Sequence, residues 1–536
     1  MSPRSRRMLS ALLLFGVAVV LRFVLAGERG LWADELFSLA MATGHSLEHP
    51  AADADPAHGD FVEQREAQPP AAYARYLEHE SPPAGARRVI RAVQLSDTSP
   101  PLYYLLLNLW TRGAGTSDLA LRLFSVFWAL AAFPLIWLLA ERIGGRPAAL
   151  SSALLYALAP LSLYYSVEGR MYAMLWFLAV AFIWLTVRLH ELGTRRATLA
   201  LWILAGGAGF LTHYFFAFVW FAGVLWLVLH PGRFFRSHLA AAVLVTIAAV
   251  LPWYAQLPAS LSRWRVTGSW LNGPLSFAQA LSAPLLLGWN LLAGRGVWGG
   301  SRWSDRFLAA LLLVLVWAVW RRGLRPLFSA PVQLLCLWVL AACFGPLAFD
   351  LLRGTFASLI GRYALAGLPA AILLLGFALS RLRPHQQLGF LGLIIVAWLP
   401  GIRAVFHHPR AWEPYVQIGH ILSAEALPGD LVIVHSIPSG VIGVARYMTA
   451  SVPLAAWVGQ LDRRQIPQDL DALLPGHGRV ALVRVHEVGE PAPEEDWLRR
   501  HARLSGQRRV QSTDILYFGP KEGTTFVATT AASTRR

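Results

Sequence analysis

About eleven apolar runs constrain this chain more than anything else in it, at approximately 8–26, 119–140, 148–166, 171–188, 197–212, 214–230, 238–254, 306–320, 331–349, 363–380 and 388–402. A helix of about 20 apolar residues matches the hydrocarbon thickness of a bilayer. Inside hydrocarbon every backbone N–H and C=O must be satisfied within the protein, so such runs are expected as spanning helices. Composition agrees, since 56% of the 536 residues are hydrophobic and 15% charged, against about 25% charged in soluble proteins. The first run follows Arg4, Arg6 and Arg7 and ends in Val-Leu-Ala. That ending also fits a cleaved leader, but the run is longer than a leader's apolar core, so a first span is expected. Arg22 within it is expected to snorkel to the interface.

The net charge of +16 would suggest a nucleic-acid partner in a soluble protein. In a chain of many spans the bias of short cytoplasmic connections toward Arg and Lys accounts for it. A lipid bilayer is therefore the expected partner, and nucleic acid is not. Lys521 is the one lysine, and the preponderance of Arg reads as a coding bias toward G and C rather than as chemistry. Cys336 and Cys343 lie in one apolar run, separated by about 10 Å of helix. That is too far for a disulfide, so both are expected to pack.

Arginines fall in alternate connections, namely Arg4, Arg6 and Arg7; Arg142 and Arg146; Arg188, Arg195 and Arg196; Arg233 and Arg236; Arg321, Arg322 and Arg325; Arg381 and Arg383. These connections are expected to face the cytoplasm. An odd number of spans then places the loops 27–100 and 255–305 and everything after Ile402 outside. Residues 45–90 read as a polar excursion with a short helix near Ala71–His79 and mainly solvated acids. In the tail, GDLVIVHS, GRVALVRVHE and TDILYFGP read as strands, and AWEPYVQIGHILSAEA, SGVIGVARYM and EEDWLRRHAR as helices. The expected fold class is thus an α-helical polytopic membrane protein with a small C-terminal α/β domain. Its expected division is a membrane domain over 1–405, with juxtamembrane helices in the outer loop 27–100, and an extracytoplasmic domain over 406–536.

Ionisable side chains cost several kcal/mol in hydrocarbon, so those at span ends are either hydrated or kept for function. The outer junctions carry Trp32-Ala33-Asp34-Glu35, Asp97 with Tyr103 and Tyr104, Glu168-Gly169-Arg170-Met171-Tyr172, His213-Tyr214, and Arg353 with Arg362-Tyr363. Acids, arginines, tyrosines and a histidine are thereby expected to converge at one depth, in a polar site between spans at the outer surface.

The succession WADE, DTSPPLYYLLLNLW, EGRMYAMLWFL, LTHYF and GRYALAGLP over residues 8–405 resembles the GT-C membrane glycosyltransferases, in particular their protein O-mannosyltransferase and aminoarabinose (lipid A) transferase branch. The tail from PRAWEPYVQIGHIL onward resembles the soluble extension of bacterial members. One departure is Ser99, where many relatives carry His before the Pro-Pro pair. The resemblance implies transfer, with inversion, of one sugar from a polyprenyl-phosphate donor to an acceptor glycan, lipid or protein on the outer face of a bacterial inner membrane. It names no certain cofactor and leaves a divalent metal open.

The residues suit that chemistry. A hydroxyl nucleophile needs a base, and a carboxylate at a membrane boundary can be made more basic by desolvation. Asp34 is the first candidate, with Glu35 and Glu168 as further catalytic acids. A phosphate leaving group needs charge stabilisation, and the guanidinium fork matches its oxygens. Arg170 and Arg362, with Tyr172 and Tyr363, are the candidate phosphate binders, and Asp97, Tyr103, His213 and Tyr214 the candidate substrate contacts. Each role has a rival. Asp34 and Glu35 also fit a helix cap, Asp97 a Pro-Pro turn, and Glu168–Arg170 an interhelical ion pair. His213-Tyr214 and Arg362-Tyr363 also fit an interfacial belt. Trp253, Trp264, Trp270 and Trp298 are expected as interface anchors, or as rings on which a sugar stacks. The alternative activity is a transporter of a glycolipid or small solute. A transporter should keep ionisable or helix-breaking residues near the midplane and show paired repeats, whereas here the polar groups collect at one face. A non-catalytic scaffold would need none of them.

Overall fold

The computed structural model describes residues 3–527 apart from 29, 98, 231, 234–235, 269, 296–300, 324, 408–412, 487–491 and 524. Among these residues eight helices are long and apolar enough to cross a membrane, Met8–Ala26, Asp118–Leu158, Tyr172–Leu192, Arg236–Leu261, Arg302–Trp320, Ala330–Arg353, Gly361–Ser380 and Pro384–His407. Arg196–Phe210, Phe216–Leu229 and Phe277–Ala293 are shorter apolar helices. The 41-residue segment Asp118–Leu158 is two helices meeting at Gly145, whose φ of +71° suits a residue without a side chain. The runs 119–140 and 148–166 are thereby joined end to end.

Phe277–Ala293 lies where a loop was expected. Gly273 donates to the Gly354 carbonyl and Phe356 to that of Leu271. A Cβ on Gly361 would stand 3.3 Å from Asn290. Both ends of this helix therefore meet the same 354–361 connection, and it does not carry the chain to the opposite face.

The basic connections collect at one end of the helices. Arg142 pairs with Glu191 at 2.8 Å, and Arg322 donates to the Arg381 carbonyl and to Gln386. At the other end the 27–100 connection is more ordered than a polar excursion suggests. Helices Ala33–Thr43, Ala86–Ser96 and Leu102–Ala114 build it, with a short turn of helix at Ala71–Ala74 continued by Arg75–Leu77. Asp53, Glu66, Glu78 and Glu80 are solvated surface as expected, but three other acids are not. Asp60 is buried against Arg91 and Ser46, and Glu63 receives the Val458 N–H and pairs with Arg464. Glu48 accepts from the Thr267 backbone N–H and its hydroxyl. A carboxylate taken from water needs such partners.

Arg22 does not snorkel. It is fully buried and donates to the carbonyls of Ala18 and Tyr156 and to the Ser162 hydroxyl, so it caps the end of the helix that closes at Leu158. Cys343 is buried as expected, whereas Cys336 lies on the surface.

In the tail a five-stranded sheet runs in the order β2-β1-β3-β5-β4, with β1 Asp430–His435, β2 Leu454–Trp457, β3 Arg479–Arg484, β4 Arg503–Val510 and β5 Thr513–Gly519. β1 pairs parallel with β2 and β3, and β5 antiparallel with β3 and β4. Strand alternation divides the core in two. Leu431 and Ile433 join Leu482 and Phe518 on the outer face, while Val432 and Val434 join Ile418, Val441 and Ile442 in the same core as Leu36 and Leu39 of the juxtamembrane helix. The tail domain thus packs directly on the segment that carries Asp34 and Glu35.

Candidate active site

The first turn of Ala33–Thr43 presents two adjacent acids that the structure uses differently. Glu35 turns inward. Its Oε2 accepts from the Trp32 N–H at 3.3 Å, closing the helix start. Its carboxylate meets Arg122 at 3.2 and 3.3 Å and accepts the Gly169 N–H at 2.8 Å. Both partners of the Glu35–Arg122 pair are buried, and Arg122 also reaches the carbonyls of Glu28 and Gly30. Gly169 is required here, because a Cβ would stand 2.6 Å from Leu121. Only a residue without a side chain lets this connection lie close enough for its N–H to reach Glu35.

Asp34 turns outward. Its Oδ2 accepts from Arg362 at 3.1 Å, and the two side chains remain 26% and 21% exposed, whereas Glu35 and Arg122 are buried. The Arg362 guanidinium lies 5.3 Å from the Trp270 ring centroid and 5.6 Å from that of Tyr363, contacts that fix its plane. Trp270 is thereby a neighbour of the charged pair, beyond its expected anchoring role.

Arg170 pairs with Asp97 rather than with Glu168. Its Nη2 donates to Asp97 at 3.2 Å, and its Nη1 reaches Ser38 and Tyr104, each at 3.3 Å, and the Asp34 carbonyl at 3.5 Å. Tyr104 also donates to Asp97, while Ser99 caps the same carboxylate through its N–H and hydroxyl. Burial pushes the Asp97 carboxyl up, but the Arg170 charge and the Ser99 hydrogen bonds outweigh it and hold it below the ordinary range. The position where relatives carry His is thus a turn that fixes Asp97 against Arg170.

Glu168 is buried with its Oε2 unpartnered. Burial, with the charges of Glu35 and Asp34, pushes its carboxyl up to about 8. A carboxyl so placed is protonated at neutral pH and holds a proton rather than taking one. The rings of Tyr165 and Tyr172 stand 5.0 Å apart, and Tyr172 faces His213 at 6.0 Å. The Phe215 N–H donates to His213 Nδ1. Burial and the Arg170 charge push His213 down to about 4, so it is neutral. Tyr363 packs on Phe215. Tyr103 is fully buried against Tyr104 and Phe124. Tyr214 is set apart, bonded to Trp253 and packed on Tyr254. No cluster of three or more His, Cys, Asp or Glu side chains suited to a metal occurs among the described residues.

Sequence reasoning missed Arg122, Ser38, Glu413 and His486. Glu413 accepts the Ala33 N–H at 3.1 Å and pairs with His486 at 3.3 Å. Arg122 had a signal, a lone cation inside an otherwise apolar run. Glu413 and His486 had none, since their proximity comes from tertiary docking.

A family model described as dolichyl-phosphate-mannose-protein mannosyltransferase matches residues 98–255, which include Arg122, Glu168, Arg170 and His213. The crystal structure of ArnT from Cupriavidus metallidurans in the apo state is similar over 95% of this chain and 97% of that one, with a TM-score of 0.56 at 14% identity. The chain has the GT-C glycosyltransferase fold. The same ArnT bound to undecaprenyl phosphate matches at a TM-score of 0.55 and 14% identity, over 94% of this chain and 97% of that one. The GT-C likeness therefore extends over the membrane helices and the tail domain alike. No curated protein matches the sequence significantly.

Proposed function

We propose that this GT-C chain transfers one sugar from a polyprenyl-phosphate donor to a hydroxyl of a glycan, lipid or protein acceptor, with inversion, on the extracytoplasmic face of a bacterial inner membrane. The observation that carries the reading is the Asp34–Arg362 pair, partly exposed above fully buried charges. Polyprenyl-phosphate transfer is also what the matching family description and the ligand of the second ArnT structure suggest.

In this reading Arg362 shields Asp34 until a phosphate arrives. The donor phosphate takes the guanidinium fork, supported by Arg170, and releases the Asp34 carboxylate. Asp34 accepts the proton of the acceptor hydroxyl, whose oxygen attacks the anomeric carbon from the face opposite the phosphate. The bond to the phosphate oxygen breaks, and the arginines stabilise the charge that collects there. Glu35 serves as scaffold, locked to Arg122 and Gly169. Glu168, protonated, stands ready to donate a hydrogen bond, and Tyr172 and Tyr363 wall the phosphate side. Asp97, Tyr103 and His213 shape the substrate cleft, with Tyr214 at its rim. An apolar cavity of about 390 Å³ beside Leu292, Leu315, Val339, Leu374 and Leu375 suits the polyprenyl chain. It reaches Ala371, on the helix that Arg362 leads into. We take 1–405 as the membrane catalytic domain and 406–536 as the extracytoplasmic one.

The test is binding of undecaprenyl phosphate to the purified chain and to its Arg362→Lys and Arg170→Lys variants. Lys keeps the charge but not the fork, so affinity should fall about tenfold or more. Wild-type affinity in both variants would overturn the phosphate assignment. For orientation, a reporter fused after Arg403 should behave as extracytoplasmic and one at Arg195 as cytoplasmic.

A further inference from the structure

The segment bearing Asp34 is held from two sides. From the membrane domain, Glu35 is tied to Arg122 and Gly169. From the tail domain, Tyr447 accepts the Leu31 N–H at 2.9 Å and donates to Asp118 at 2.8 Å, while Asp118 also receives the Gly30 N–H and Arg446. Glu413 reaches furthest into the site. Its Oε2 accepts the N–H of Ala33, the residue next to Asp34, and its Oε1 faces His486 Nδ1. His486 follows β3 and lies 3.4 Å from the Tyr415 hydroxyl. The carboxyl end of a parallel strand is therefore turned toward the candidate base, the edge at which α/β sheets present functional groups.

We infer that the tail domain supplies part of the catalytic apparatus, with Glu413, steadied by His486, acting as a positioning residue that fixes the Asp34 turn and is electrostatically coupled to the Asp34 carboxylate. The inference rests on Asp34 being that base. The titratable groups facing Glu413 are Asp34 on the juxtamembrane helix, His486 after β3 and Tyr415 on its own helix. Burial, with the Asp34 charge adding to it, pushes Glu413 up to about 7. Burial holds His486 below its usual value, against the pull of Asp34.

The experiment is an infrared pH titration of protonated carboxyl groups on the full-length chain in lipid nanodiscs, without substrate. The wild type should show a component with a midpoint near 7 that Glu413→Gln removes. Gln still accepts the Ala33 N–H, so the thermal midpoint should stay within a few degrees of wild type. Should the Gln variant fail to fold, Glu413→Asp shifts the component and assigns it equally. In Asp34→Asn the component should move to lower pH by about half a unit or more, because the neighbouring negative charge is gone. A cap without electrostatic coupling would leave that midpoint where it was, and this result would overturn the inference. It would leave the phosphate test of the arginines untouched, just as loss of the phosphate assignment would leave the coupling measurable.

Discussion

At the end of the helices away from the site, Arg142 pairs with Glu191 while 49% exposed, and Arg322 spreads its donors over a carbonyl and a glutamine at the surface. At the site end, Arg122 and Glu35 meet with neither exposed, Arg170 is nearly buried against Asp97, and Glu168 is buried with an unpartnered oxygen. Both ends are rich in Arg, so composition alone does not separate them. Burial does. Exposed charges set orientation and are worth little individually. Buried ones cost desolvation and persist where structure or chemistry requires them. Within the site end the contrast recurs between neighbours, with Glu35 buried against Arg122 and Asp34 partly open to solvent beside Arg362.

Arg122→Ala leaves Glu35 buried without its counter-charge, at a cost of about 3–5 kcal/mol. The variant should lose its folded peak in size-exclusion chromatography, and a variant that elutes and melts like wild type would remove the scaffold role. Glu168 should respond in the opposite direction. Its folded-state value of about 8 lies above the ordinary 4.5, so the unfolded chain releases this proton first as pH rises. The native state therefore loses stability between those values. Glu168→Gln has no proton to lose, so its thermal midpoint should gain on wild type by a few degrees as pH is raised from 4.5 to 8. A constant difference across that range would mean that Glu168 is not held protonated. Arg142→Ala, at the exposed end, should change the midpoint by an amount equivalent to about 0.5 kcal/mol or less. A large loss there would show that exposure does not separate the two ends.

Much of this was legible in the sequence. The apolar runs marked the spans because hydrocarbon enforces helices, and the strands at 430–435, 479–484 and 513–519 showed because they are buried and β-branched. Phe277–Ala293 was hidden by Pro284 and its flanking polar residues, which read as loop. β4 was hidden because RLSGQRRV is an exposed, polar edge strand. In the site, junction acids and arginines were visible as residues, but their pairing was not. Glu168 and Arg170 are neighbours in sequence, yet Arg170 crosses to Asp97. What Glu413 does depends on a tail domain folding back onto residue 33, and no local pattern encodes that.

In the proposed reaction Asp34, not the adjacent Glu35, takes the acceptor's proton. The direct measurement is the transfer rate of Asp34→Asn in nanodiscs, with undecaprenyl-phosphate sugars as donors and total envelope extract as acceptor, alongside its thermal midpoint. Asn keeps size and hydrogen bonding but not basicity, so transfer should fall about a hundredfold or more while the protein melts as wild type does. Transfer at the wild-type rate by a folded Asp34→Asn protein would show that Asp34 is not the base.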